Sequence, residues 1–162
     1  SGDPETAATK TVMRIVARRI RDLDAQIRDI DRQLAALAAE VAPQLLDEPG
    51  IGPYCAAQLY VSWSHAGRCR SDGAFARLAG AAPIEATSGQ TVNRHRLNRG
   101  GDRQLNRALH TIMLCRVSHD PDTRAYIARS MAAGKSRRDA QRAIKRYIAR
   151  RVWRLLEHPQ LT

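Results

Sequence analysis

Aromatic side chains are scarce: two Trp, four Tyr and one Phe make up 4% of the residues. A broad stacking platform for single-stranded bases is therefore excluded, and any nucleic-acid contact is directed to the backbone. Cysteine is scarcer still. Cys55, Cys69 and Cys115 are an odd, widely spaced set with no Cys-x-x-Cys pair and, on this reading, no His at ligand spacing. They read as reduced core thiols, not a zinc site, a disulfide framework or a catalytic cysteine. No run approaches the roughly 20 apolar residues that span a bilayer, and the N-terminus has no apolar signal-peptide core. The expectation is a soluble, cytoplasmic protein with no membrane partner. Acid is short as well, with 16 Asp and Glu against 27 Lys and Arg and a formal charge of +11. The excess gathers after residue 93, whereas a merely solubilising surface intersperses both signs. A polyanion is the partner this implies.

What is present is helical periodicity. The 162 residues suit one ordinary core plus one appendage. Val16, Ile20, Leu23, Ile27, Ile30, Leu34, Leu37 and Val41 alternate steps of four and three, a heptad seam with Arg and Asp on the outer positions. So narrow a stripe favours a partner helix over a helix lying on its own domain. From Leu45 to Leu59 the chain turns: Pro49 stops a helix, Gly50 and Gly52 permit a tight turn, and Pro53 suits the first turn of the next helix. This pattern resembles a helix-hairpin-helix, in which glycines let a phosphate approach free amides at a helix N-terminus, although a structural αα-turn uses similar residues. A short helix is expected from about Asp72 to Leu78, with Ala74, Phe75 and Leu78 facing the core. Residues 80–101 form a long loop or a weak hairpin, the kind of segment that carries function. Helix resumes with Leu105, Leu109, Ile112 and Met113 on one face and ends near His119. Another helix carries Tyr126, Ile127 and Met131 and stops at Gly134. Ser136 and Asp139 form a capping box for the last helix, whose apolar face is Ile144, Ile148, Val152 and Leu155.

Two basic clusters stand out. The last helix carries Lys135, Arg137, Arg138, Arg142, Lys145, Arg146, Arg150, Arg151 and Arg154, largely without the acids at spacing four that a solvated face normally has. Such a row can line a duplex backbone. Arg94, His95, Arg96, Arg99, Arg103 and Arg107 follow the Ser88-Gly89 step. A serine beside arginines suits phosphoryl chemistry, because guanidinium forks stabilise charge on a phosphate under attack. A Ser-Gly step is also an ordinary turn. Glu85 and His95 are the nearby residues with the chemistry of a base.

The Pro-Gly-Ile-Gly hairpin, the stretch from Phe75 through Leu78-Ala79-Gly80-Ala81-Ala82-Pro83, the Thr87-Ser88-Gly89 step, the run from Asn98 to Leu109 and Gly134-Lys135 together resemble one family. It is the transposases of the bridge-RNA-guided insertion sequences, related to the pilin-gene inversion recombinases. The resemblance spans about residues 45–157. It implies that Ser88 is a nucleophile that bonds covalently to a DNA phosphate. It also implies a separate RuvC-like domain, with an Asp-Glu-Asp-Asp set holding Mg²⁺, that precedes a coiled coil in the longer bacterial protein. No cofactor is expected in this chain, which alone should be inactive. One departure is Gly101-Asp102-Arg103, where the family often has Gly-Asn-Arg. Asp caps a helix as well as Asn does, but a carboxylate suits phosphate contact less.

The expected architecture is mainly α: a coiled-coil arm over residues 5–44 and a helical domain over residues 45–162, with a helix-hairpin-helix at residues 45–62 and a long Ser-Gly loop. The expected function is the C-terminal part of a DNA transposase or recombinase. DNA, a structured guide RNA and a second copy paired through the arm are the expected partners. The expected contacts to nucleic acid are Gly50, Gly52, Arg94, Arg96, Arg99, Arg103, Arg107, Lys135, Arg138, Arg142, Lys145 and Arg146, with no metal ligand. The rival is a non-catalytic helix-hairpin-helix DNA-binding module.

Overall fold

The computed structural model describes residues 3–85, 95–97 and 100–159, and of residues 84, 85 and 95–97 the backbone alone. The fold is mainly α, as expected. Helix α1 runs from Pro4 to Val41. Asp3 caps it, Pro4 takes the first position where its missing N–H costs nothing, and no glycine or further proline interrupts the segment. It stops sooner than Pro49. Pro43 pushes the residue before it out of the α region, and Ala42 sits at φ −156°. A single turn, α2 (Pro43–Leu46), then leads through residues 47–52 into α3 (Pro53–Trp63).

The end of α1 is anchored: Ala38 and Ala42 are buried in the core, and α1 packs on α3. The seam before them is bare. Val16, Ile20, Leu23, Ile27, Ile30, Leu37 and Val41 are all exposed, and only Leu34 is partly covered.

Helix α4 (Asp72–Leu78) is capped by Ser71 and buries Phe75 and Ala76, while Ala74 and Leu78 pack against the core from its edge. Strands β1 (Pro83–Glu85) and β2 (His95–Leu97) pair antiparallel, so the weak hairpin is the form that this segment takes. Helix α5 (Arg103–His119) buries Leu105, Leu109, Ile112 and Met113, the apolar face read from its period. Helix α6 (Pro121–Ala132) buries Ile127, but Met131 is exposed. Helix α7 (Arg137–Glu157) buries Ile144, Ile148, Val152 and Leu155 and packs against each of α2 to α6. It is the element around which the domain is assembled. Truncating a fully buried Leu109 or Leu105 to Ala would cost about 2 to 5 kcal/mol.

Candidate nucleic-acid interface

Three elements meet where the hairpin leaves the domain and returns to it. On the outgoing side the amides of Ala81 and Ala82 both donate to the Ala76 carbonyl, which fixes the turn that follows α4. On the return side Gly101 has φ +108°, a backbone that side chains avoid, and a Cβ there would overlap the Leu78 carbonyl oxygen. The next amide, Asp102, donates to that same carbonyl at 2.8 Å. The hairpin is thus held at both roots by the end of α4.

Asp102 then caps α5. Its carboxylate accepts from the amides of Gln104 (2.8 Å) and Leu105 (3.0 Å) and from the Ser62 hydroxyl (2.7 Å). Burial pushes its pKa up, but the Leu105 amide, the Ser62 hydroxyl and the Gln104 amide hold it below the usual carboxylate range. The helix-start role expected of Asp102 is therefore filled, and its carboxylate occupies amides that an anion would otherwise use.

Beside these roots a cleft of about 730 Å³ opens between the Ala79–Pro83 turn, the first half of α5 and the first half of α7. Arg103, Lys135, Arg138, Arg142, Lys145 and Arg146 line it. Six of the residues singled out in the sequence are thereby brought together. At the floor the Lys145 ammonium donates to Asn106 Oδ1 at 2.7 Å, and Asn106 Nδ2 donates to the Ala79 carbonyl at 2.6 Å. Burial pulls the Lys145 pKa down. His110 is also lowered, first by desolvation and then by the Lys145 charge, so near neutral pH its imidazole is uncharged. The lining carboxylates are both engaged, Asp102 as above and Asp139 by the Ser136 hydroxyl (2.6 Å) and Arg142 (2.9 Å).

The row on α7 is less uniform than its sequence implied. Arg150 and Arg154 both reach Asp72, and Arg151 reaches Glu48. Their counter-charges come from α4 and the 47–52 turn, not from spacing four along the helix. Lys145 is half-buried, not a freely solvated side chain. The capping box also forms differently, with the Asp139 carboxylate accepting from the Ser136 hydroxyl instead of its backbone amide.

The 47–52 turn lies further along α5. Gly50, at φ +77°, packs against Ile112, Cys115 and Arg116. The Arg116 guanidinium clamps the turn by donating to the Pro49 carbonyl at 2.7 Å and the Glu48 carboxylate at 3.1 Å. Gly52 is different: it is exposed, and a Cβ there would meet nothing within 4 Å. It caps α3 without a side-chain acceptor, whereas Asp3, Ser71, Asp102, Asp120 and Ser136 cap α1, α4, α5, α6 and α7. The cleft and this turn are separate places on one helix, about 14 Å apart along the axis between Asn106 and Cys115.

Arg107 is exposed on α5 outside the cleft lining. Arg96 lies in β2 opposite Ile84, while Ser88, Arg94 and Arg99 fall outside the described residues. The register places Glu85 opposite His95 at one end of the ladder.

Asn106 and His110 were missed by sequence reasoning, although Arg103, Asn106 and His110 share one helical face at spacings of three and four. Cys115 does have a neighbouring His, since its sulfur lies 3.8 Å from His119 Nδ1, one helical turn on. Among the described residues no three His, Cys, Asp or Glu converge as metal ligands. Nor is any described helix long and apolar enough to cross a membrane.

Comparison with known proteins gives this arrangement its context. The family model described as Transposase IS116/IS110/IS902 family matches residues 42–128. The insertion element IS110 uncharacterized 43.6 kDa protein of Streptomyces coelicolor (strain ATCC BAA-471 / A3(2) / M145) is 30% identical over 139 residues, covering 85% of this chain. The chain spans only 34% of that relative's length. On these matches the chain belongs to the IS116/IS110/IS902 transposase family.

Proposed function

We propose that this chain is the part of a transposase that grips DNA and supplies the serine for strand cleavage and exchange. The observation that carries the reading is the cleft: six Lys and Arg side chains converge there while both lining carboxylates are already engaged. Such a surface attracts phosphate and releases counterions when it binds one. It lies at the roots of the hairpin whose connecting residues, 86–94, contain Ser88.

In the proposed step Ser88 Oγ attacks a DNA phosphorus. A serine–phosphate bond forms, the bond to one sugar oxygen breaks, and that oxygen leaves with a proton. Exchange is the reverse reaction with a different strand end. Serine at its ordinary pKa is a weak nucleophile and needs help to lose its proton. Glu85 and His95 are the residues close in sequence with the chemistry for that. Mg²⁺ is assigned to the acidic domain that the family resemblance implies outside this chain, and no step here is routed through it. On this reading the fragment binds but does not cut, a structured guide RNA shares the basic face, and a second copy pairs along α1. Work in the bacterial cytoplasm, at the nucleoid, goes with it.

The test is Ser88→Ala in the full-length protein with its guide and DNA. Binding should persist while strand exchange and the protein–DNA adduct disappear. Undiminished recombination would make Ser88 a turn residue and leave a non-catalytic DNA-binding module.

A further inference from the structure

We propose that the cleft between α5 and α7 takes a single nucleotide unstacked from a DNA strand, with its phosphate on Lys145 and the arginine rim and its base against the part-exposed Ala81 and Ala143. The inference rests on the reading that this face binds nucleic acid and adds what the cleft is shaped to hold.

Size is the first observation. At about 730 Å³ the cleft falls in the range of pockets that enclose small organic ligands and far exceeds what one phosphate needs. Its lining is the second. A groove that only tracks a sugar–phosphate backbone has no use for apolar walls, yet Ala81, Ala82, Pro83 and Ala143, none of them buried, line this one together with the cations. Enzymes that read an extruded base hold it against apolar side chains and present polar groups to its edge, and here Gln141 and His110 are those groups. Lys145 is the third. Its ammonium is half-buried and bonds to the neutral Asn106, with no carboxylate at ion-pair distance among the described residues. A desolvated cation of this kind gains most from an anion that enters the cleft. The nearest carboxylates cannot serve, being tied to α5 amides and to Ser136 and Arg142.

The 162-residue chain is titrated with 2′-deoxynucleoside and ribonucleoside 5′-monophosphates, with the matching deoxynucleosides and with inorganic phosphate, while amide resonances are followed by NMR. A DNA duplex is titrated into the same preparation. The monophosphates should saturate one site at least about tenfold more tightly than either part alone, moving the resonances of Asn106, His110 and Ala143. Lys145→Met and the exposed-rim variant Arg142→Gln should each weaken that binding by about tenfold or more, with circular dichroism confirming that the fold persists. Monophosphates that bind no better than phosphate reduce the cleft to an anion groove and overturn the proposal. Binding unchanged in both variants also overturns it, and so do ribonucleotides that bind about tenfold tighter, which would remove DNA as the source. If nucleotides fail while the duplex binds, the pocket falls and the interface stands; if the duplex fails too, both fall.

Discussion

Two glycines separate backbone geometry from ligand contact. Gly101 has φ +108°, and a Cβ added there would run into the Leu78 carbonyl oxygen, which is backbone and already accepts the Asp102 amide. An alanine at such a dihedral costs about 1 to 3 kcal/mol, and relieving the overlap by shifting packed backbone adds about 1 to 3 more. Gly101→Ala should therefore destabilise the domain by about 2 to 6 kcal/mol, a large share of the roughly 5 to 15 kcal/mol typical of domains. For a domain of this size that lowers Tm by about 5 to 20 °C. Because Asp102 follows directly, the start of α5 and one wall of the cleft should loosen with it. Gly52 has φ −90° and ψ 173°, which any residue adopts, and open space where a Cβ would go. Gly52→Ala should leave Tm within about 2 °C, the effect of a surface change below roughly 0.5 kcal/mol. If a phosphate approaches the uncapped amides of α3, the added methyl should still weaken duplex binding, by about three- to tenfold. Thermal unfolding by circular dichroism and duplex titration at fixed salt measure the two effects. An unshifted Tm for Gly101→Ala would refute the strain argument, and unchanged affinity for Gly52→Ala would make the 47–52 turn a purely structural αα-turn.

Replacing Ile27 and Leu34 with Asp should convert a self-associated chain to monomers in sedimentation, because the largely bare seam of α1 offers roughly 1.5 to 3 kcal/mol per large side chain fully buried. A wild-type chain that stays monomeric at high micromolar concentration would end that idea. Neutralising Arg138, Arg142 and Arg146 should flatten the slope of log affinity against log salt by up to about 0.9 per lost duplex phosphate contact. Arg150→Gln and Arg154→Gln, whose guanidiniums are held by Asp72, should lower Tm and leave that slope nearly unchanged. Asp72 is held below the usual carboxylate range, first by its bond to Arg150 and then, against the opposing effect of burial, by Arg154. Its contribution is therefore present above the unfolded-state pKa, near 3.9, and is lost as pH falls through the depressed folded value. Asp72→Asn should remove that part of the acid limb from Tm measured against pH; an identical acid limb would show that the pairing adds nothing.

Periodicity made the helices legible because burial on one face enforces it. Leu105, Leu109, Ile112 and Met113, or Ile144, Ile148, Val152 and Leu155, cannot be spaced otherwise and still reach one core. The end of α1 was read too late because Pro43 lies inside a run that keeps its apolar residues, so the local restriction on Ala42 had to be weighed against a pattern that continued past it. Met131 obeyed the period of α6 and stayed exposed, since a period gives a face without saying that a neighbour covers every position on it.

The candidate site was legible as charge and obscure as geometry, for a reason that α7 makes plain. Its basic residues form one row in sequence, and helical spacing spreads them around the axis. Tertiary packing then supplies counter-charges to some and not to others. Asp72 and Glu48, distant in sequence, neutralise Arg150, Arg154 and Arg151, whereas Arg138, Lys145 and Arg146 open into the cleft. Spacing along one helix cannot reveal an acid that arrives from another, so the rule that uncompensated charge marks a binding face holds only after the fold has assigned the partners. The same holds for Asn106 and His110. On α5 alone they are an unremarkable polar pair one turn apart. They become the floor and wall of a cleft because Gly101 and Asp102 set where α5 begins, and because α7 brings Lys145 down onto Asn106. The residues that create the cleft are thus a glycine and a capping aspartate, which read in sequence as turn chemistry, while the residues that give it an affinity read as surface charge.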